Sequence, residues 1–111
     1  MTTFDARTLD EMVRAARDLV DRHTGRLPDK SGVRTLANFA AATPSVEELA
    51  LFIEYQAARF PRLEDFYREA AAKVRKDAGN DIERARRFLA LLVRAVIARP
   101  KPNDGASSNK R

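Results

Sequence analysis

The sequence predicts an all-α protein, a compact bundle of about five helices followed by a disordered tail. Apolar residues recur at three- and four-residue spacing in five separate segments, and no segment shows the two-residue alternation of a β-strand. Glycine or proline stands between each segment and the next. At 111 residues the chain is long enough for one core, so we expect a single helical-bundle domain over residues 1–100.

Capping residues and breakers place the first two helices. Thr8 and Glu11 have the spacing of a capping box, which predicts a first helix from about Thr8 to His23. Pro28 prevents that helix from continuing. The second helix is expected over about residues 31–42, where apolar residues again form one stripe.

The third and fourth helices are separated by Pro61. Ser45, with Glu48 three residues later, predicts a second capping box and a third helix that runs to about Arg59. We expect the fourth helix over roughly residues 62–78.

The fifth helix is expected to begin after Asp81, a natural N-cap, and to end at Pro100. Residues 101–111 include Pro, Gly, Ser and Asn but no large apolar side chain. Burial therefore cannot offset the entropy lost on ordering them, and we expect a disordered basic tail.

Two segments are apolar on every side of the helix. Residues 49–53 in the third helix and 88–93 in the fifth contain no charged side chain. Such a helix is either central in its bundle or covered by a partner. We expect both helices to be central, with a protein–protein surface as the alternative.

The residues that catalysis requires are scarce. Without cysteine there are no disulfides, thiolate metal sites or cysteine nucleophiles, and the only histidine, His23, is expected to be exposed at the end of the first helix. Adjacent carboxylates occur in the expected first turns of helices, where they favour the macrodipole: Asp10–Glu11, Glu47–Glu48 and Glu64–Asp65. We expect a protein that is not an enzyme, with no metal, cofactor or small-molecule substrate.

No stretch approaches the roughly 20 apolar residues that a membrane span needs. The first thirty residues also mix charged and apolar side chains too often for a secretory signal. We therefore expect a cytoplasmic protein with no membrane partner.

Positive charge is concentrated in the second half of the chain. The net charge is +5, and residues 61–111 hold 13 basic and 7 acidic residues, whereas residues 1–60 hold 8 and 9. This asymmetry favours a polyanionic partner. A solubilising surface with a basic tail remains an equal alternative on composition alone.

The basic residues are arranged along helix faces. On the second helix, Lys30, Arg34 and Asn38 are four residues apart and form one polar line. At the end of the fourth helix, Lys73, Arg75 and Lys76 form a cluster. On the fifth helix, Arg84, Arg87 and Arg94 share a side, with Arg86 nearby. Arginine suits phosphate because its planar fork donates two hydrogen bonds and stays charged. Some of these faces could instead be solvated and paired, since Glu69–Lys73 and Glu83–Arg87 have the favourable four-residue spacing.

A helix-turn-helix reader of duplex DNA is an obvious candidate, because few residues join the second and third helices. Its recognition helix would begin with Glu47 and Glu48, and their charges would repel phosphates. RNA held along an outer face fits better, and a DNA-binding regulator is kept as a third possibility behind a protein–protein adaptor.

Three segments resemble the small subunit of type III-A (Csm) CRISPR effector complexes. Ser31-Gly-Val-Arg34 is similar to the start of that family's shared region, and Tyr55-Gln-Ala-Ala-Arg59 to its aromatic-plus-Arg signature. Residues 87–98 resemble its last helix, so the likeness covers roughly residues 27–100. The family commonly has a Glu and a Tyr-His pair where this chain has Arg94 and Arg99-Pro100, which keeps the type III-B small subunit as an alternative.

The resemblance implies a non-catalytic helical bundle that stacks along guide RNA and target RNA in antiviral defence. Its partners would be other effector subunits, including further copies of itself. Arg34 and Arg59 are the RNA-binding positions that the motifs carry over, whereas the other basic residues are added from charge. Tyr55 could equally belong to the core, and Arg59 could instead cap its helix.

Overall fold

The computed structural model describes residues 4–99, which form five α-helices with short connections. These are α1 (Ala6–Arg22), α2 (Lys30–Ala42), α3 (Val46–Arg59), α4 (Glu64–Ala78) and α5 (Ile82–Ala98). A 3₁₀ turn over Pro61–Leu63 leads into α4, which therefore begins two residues later than predicted. No strand occurs between residues 4 and 99, so the predicted all-α class is confirmed. The predicted tail, residues 101–111, lies outside the described residues.

α5 is the central helix of the bundle. It packs against α1 on one side and α2 on the other, and it also contacts α4, whereas α3 packs mainly on α4. Leu89 and Leu92 of α5 are fully buried, as the uninterrupted apolar run requires. The same expectation is wrong for α3, because Leu51 is 63% exposed and Tyr55 is 54% exposed. One side of α3 faces the core and the other faces solvent.

The largest fully buried side chains are Phe66 and Tyr67 on α4, whose rings meet edge to face at 5.6 Å. Burial raises the pKa of the Tyr67 phenol. Helix α2 approaches this ring closely at Gly32, where an added Cβ would lie 3.0 Å from Cβ of Pro28 and 3.4 Å from the Tyr67 hydroxyl. Close packing thus accounts for the glycine in the Ser31-Gly-Val-Arg34 segment.

The start of α1 differs from the prediction. Asp5, not Thr8, is the N-cap, because its carboxylate accepts a hydrogen bond from the backbone N–H of Thr8 at 2.8 Å. This bond lowers the pKa of Asp5. The predicted capping box of Thr8 and Glu11 is therefore wrong, and the pair Asp10–Glu11 lies beyond the first turn.

The predicted N-caps Ser45 and Asp81 are confirmed, but the capping box of Ser45 and Glu48 is only half formed, because the Ser45 N–H donates to the Thr43 hydroxyl oxygen at 3.1 Å. The Ser45 hydroxyl accepts from the Glu48 N–H at 3.0 Å, and the Asp81 carboxylate accepts from the backbone N–H groups of Glu83 and Arg84. The Glu48 carboxylate takes a hydrogen bond from the Thr43 hydroxyl. It therefore fastens the α2–α3 connection as well.

His23 follows α1 and is not exposed as predicted. Its side chain is only 14% exposed, and Nε2 lies 2.7 Å from Oε1 of Glu69 on α4. Arg22 forms an ion pair with the other oxygen of the same carboxylate. Burial alone would raise the pKa of Glu69, but the hydrogen bonds from Arg22 and His23 bring it below its ordinary value. Glu69 thus joins the end of α1 to α4.

Candidate nucleic-acid interface

Exposed basic residues lie on α2 and α5, two of the three helices for which the sequence predicted basic stripes or clusters. Lys30 and Arg34 are exposed on one side of α2, together with Asn38, and Arg87 and Arg94 are exposed on α5. The two helices that carry these residues pack directly against each other. We call the surface formed by Lys30, Arg34, Arg87 and Arg94 the basic face.

The four residues of the basic face make no ion pair within residues 4–99. Glu83, the expected partner of Arg87, instead binds Arg86 at 2.5 Å. The Arg87 guanidinium lies 5.8 Å from the centroid of the Phe4 ring, which is cation–π distance. Its donors therefore remain available to an anion.

Two of the three residues of the basic cluster on α4 form ion pairs with carboxylates of the same chain. Lys73 pairs with Asp77 at 3.5 Å. Arg75 reaches across to α3, where it binds Glu54 at 2.5 Å and Glu47 at 3.4 Å. These carboxylates raise the pKa of Arg75.

Lys76 is the third member of the α4 cluster. It is exposed, and it makes no ion pair in the described part of the chain. Lys76 is therefore the member of the cluster whose charge is not locally balanced.

Arg84 is separated from the other two arginines of its predicted stripe. It is half-buried and lines a cavity of about 150 Å³ between α1, α4 and α5, beside Lys73, Glu11 and Asp77. The prediction that three arginines share the outer side of α5 is right for Arg87 and Arg94. It is wrong for Arg84, which lies closer to the core-facing side of the helix.

Arg59 lies on α3, at the C-terminal end of that helix. Its guanidinium is 5.7 Å from the centroid of Tyr55 and 4.9 Å from that of Phe60, and all three residues are exposed. The ring of Phe52 stacks on Phe39 at 4.1 Å beside them. The predicted aromatic-plus-Arg signature therefore forms a surface of its own, capable of stacking on a base or of packing on a protein.

A groove between α1 and α5 brings together arginines that the sequence did not associate. It has a volume of about 420 Å³, and its charged lining consists of Arg17, Asp21, Arg94 and Arg99. Its floor is apolar, formed by Val13, Val20, Leu91, Ala95 and Ala98. We call it the α1–α5 groove. Sequence reasoning missed Arg17 and Arg99 because their proximity depends on how α1 docks on α5, and no local spacing signals it.

The comparisons with known proteins gave no match from which a function could be assigned. No protein-family model matches the chain, and neither a curated protein nor a solved structure shows significant similarity to it. Among residues 4–99, no group of three or more His, Cys, Asp and Glu side chains could hold a metal ion. None of the helices in that range is long and apolar enough to cross a membrane.

Proposed function

We propose that the chain is a non-catalytic, RNA-binding small subunit of a type III CRISPR effector complex, working in the cytoplasm. Its basic face would contact the backbone of the guide–target RNA while other subunits, including further copies of this chain, stack beside it. The type III assignment rests on the resemblance of residues 31–34, 55–59 and 87–98. The RNA contact rests on the basic face.

One observation carries the RNA contact. Four basic side chains are exposed on adjoining helices, and none of them is paired with a carboxylate within residues 4–99. Arginine and lysine in such a position attract phosphates of any sequence, and each contact releases counterions. Binding is therefore expected to be sequence-tolerant and to weaken steeply as salt rises.

The test measures single-stranded RNA binding by the full chain between about 50 and 200 mM salt. Each lost phosphate contact reduces the slope of log K against log salt by about 0.7. The double variant Arg34→Gln with Arg87→Gln should therefore lower the slope by about 1.4 and weaken binding at low salt.

The single substitution Arg62→Gln is the matched control for the single substitution Arg34→Gln. Arg62 is exposed in the 3₁₀ turn and is not part of the basic face. Its loss should leave the slope nearly unchanged. Salt-independent binding, or equal effects of Arg34→Gln and Arg62→Gln, would remove the support for an RNA contact at this face.

A protein–protein adaptor is the second candidate, favoured by the solvent side of α3. Leu51, Tyr55 and Phe60 are all exposed there, at 63%, 54% and 39%. After nuclease treatment, an adaptor would retain a protein partner and no RNA. Leu51→Gln should release that partner if α3 holds it, and RNA retained by the isolated chain would count against this candidate.

A further inference from the structure

We propose that the α1–α5 groove is a nucleotide-binding site, in which the arginines hold the phosphate and the apolar floor carries the base. Where RNA supplies the nucleotide, this proposal deepens the proposed function and rests on it. The nucleotide could be free in solution or part of an RNA chain, and the chemistry of recognition is the same.

The groove concentrates positive charge with little to balance it. Arg17, Arg94 and Arg99 line it, and none of them makes an ion pair within residues 4–99. Asp21 is the single carboxylate in the lining. A phosphate presents several acceptor oxygens to the planar forks of neighbouring guanidiniums, so it suits this arrangement better than a carboxylate does.

Arg99 supplies an independent reason to expect an acceptor. Its Nε atom is buried and has no hydrogen-bond partner among the described residues. Buried donors are normally satisfied. Because this atom has almost no exposed surface, a ligand oxygen would reach it only if the Arg99 side chain turned into the groove that it lines. Arg84 Nε is unpaired in the same way beside the smaller cavity.

The floor distinguishes a nucleotide from a bare anion. Aliphatic side chains from both helices line the groove, and they are Val13, Val20, Leu91, Ala95 and Ala98. A volume of about 420 Å³ is within the range of small-molecule sites. Inorganic phosphate would leave this surface in water, whereas the flat face of a base would cover it.

Asp21 offers acceptor atoms for the sugar or the base of the nucleotide. Its carboxylate can accept hydrogen bonds from ribose hydroxyls or from an exocyclic amino group. The groove is therefore suited to a nucleoside monophosphate or to one nucleotide of an RNA chain.

Isothermal titration of the full chain with adenosine monophosphate and with inorganic phosphate tests the site. We expect saturable binding of the monophosphate and at least tenfold weaker binding of inorganic phosphate. Arg99→Gln should weaken the monophosphate at least tenfold. Ala98→Leu should do the same without changing the charge, because the larger side chain fills the groove.

Arg14→Gln is the control for charge, since Arg14 is exposed on α1 and does not line the groove. It should change monophosphate affinity less than twofold. Circular dichroism of each variant establishes that it is folded. No saturable binding of the monophosphate up to about 5 mM, or equal losses for Arg99→Gln and Arg14→Gln, overturns the site.

Single-stranded RNA with and without a 5′-phosphate identifies the source of the nucleotide. If Ala98→Leu weakens RNA binding, the groove binds a nucleotide of the RNA. If only the 5′-phosphorylated RNA loses affinity, the groove binds the 5′ end of that RNA. If only the free monophosphate is affected, the ligand is a free nucleotide. If RNA binding depends on Arg34 and Arg87 but the monophosphate does not bind, the nucleotide site in the groove is overturned. The proposed function is then unaffected.

Discussion

Glu69 connects two helices through one carboxylate. Arg22 and His23 both bind it, and together they lower its pKa from the ordinary value of 4.5. In the unfolded chain the carboxyl titrates near that ordinary value. Its contribution to stability is therefore fully present above about pH 4.5, and it is lost as pH falls through the lower folded pKa.

Glu69→Gln should lower the free energy of unfolding by about 1 kcal/mol at pH 7, because the partly exposed ion pair and the charged hydrogen bond are lost. Urea unfolding at pH 7 and at about pH 2 measures the difference, which should nearly vanish in acid. Glu64→Gln is the control, since Glu64 and its partner Arg68 are about half exposed and lie in one helix. A loss for Glu69→Gln that is equal at both pH values would contradict this role.

Arg86 provides a cap that α2 does not provide for itself. The last turn of α2 has no basic residue, and Arg86 on α5 donates to the carbonyls of Ala40 at 2.8 Å and Thr43 at 2.9 Å. Carbonyls at a helix end otherwise lack partners within the helix. This contact fastens α2 to α5.

Arg86→Ala should lower the free energy of unfolding by about 2 kcal/mol, because charged hydrogen bonds to two carbonyls are lost. Arg87→Ala, one residue away and exposed, should change it by less than about 0.5 kcal/mol. Thermal unfolding of the two variants checks the contrast. Similar melting temperatures for both would show that the carbonyl contacts contribute little.

Sequence reasoning could not identify the ionic partners of individual residues. The four-residue rule predicted Glu69–Lys73 and Glu83–Arg87, yet Glu69 binds α1 and Lys73 binds Asp77. Glu83 pairs with Arg86 three residues away. Local pairs stabilise a helix by only a few tenths of a kcal/mol, so the contact of Glu69 with α1 readily displaces the pair with Lys73. Lys73 and Glu83 have other partners within their own helices.

At the scale of the helix, capping residues predicted starts well where a single candidate was present. Ser45 and Asp81 were both identified from sequence, and both accept the expected backbone hydrogen bonds. At α1 the prediction was Thr8, but the cap is Asp5, three residues upstream. Either residue type suits the position, so propensity alone could not separate them.

Asp81→Ala should lower the free energy of unfolding by about 1 kcal/mol, because two N–H groups at the start of α5 lose their acceptor. Asp81→Asn keeps a side-chain oxygen and should recover most of that loss. Denaturant unfolding compares the three proteins. If asparagine is as destabilising as alanine, the carboxylate acts through its charge and not through the cap geometry.

The apolar runs of α3 and α5 look alike in sequence but differ in surroundings. Leu92 of α5 is fully buried, whereas Leu51 of α3 is 63% exposed. A short run without charges establishes that a helix is apolar, but its burial depends on how many neighbours surround it. That number is a property of the packing, which local sequence does not contain.

At the scale of the whole molecule, periodicity and breakers were sufficient for the fold class and for the number of helices. They were not sufficient for the candidate site. The carboxylate partners of Arg75 lie on α3 and are brought to it only when α4 docks there. Arg17 and Arg94 line one groove only because α1 contacts α5. Charge along a sequence overstates the charge that the folded surface offers.

The neutralised cluster on α4 makes this difference measurable. Lys73→Gln with Arg75→Gln removes as many charges as Arg34→Gln with Arg94→Gln, but the first pair already has carboxylate partners. Single-stranded RNA affinity should therefore fall less than threefold for the α4 variant. It should fall at least tenfold for the variant of the basic face, which at 25 °C corresponds to about 1.4 kcal/mol.

Equal losses for the two double variants would mean that RNA responds to net charge alone. The positions of the arginines would then carry no information about the interface. A fluorescence anisotropy titration at one fixed salt concentration is enough to distinguish these outcomes, because salt by itself changes such affinities strongly.

The central position of α5 has a consequence for synthesis of the protein on the ribosome. The first four helices are translated before the one against which α1, α2 and α4 pack. Until α5 emerges, their apolar faces lack that neighbour, and the nascent chain is a substrate for chaperones and proteases. Folding is therefore expected to be completed late, when the C-terminal part of the domain leaves the exit tunnel.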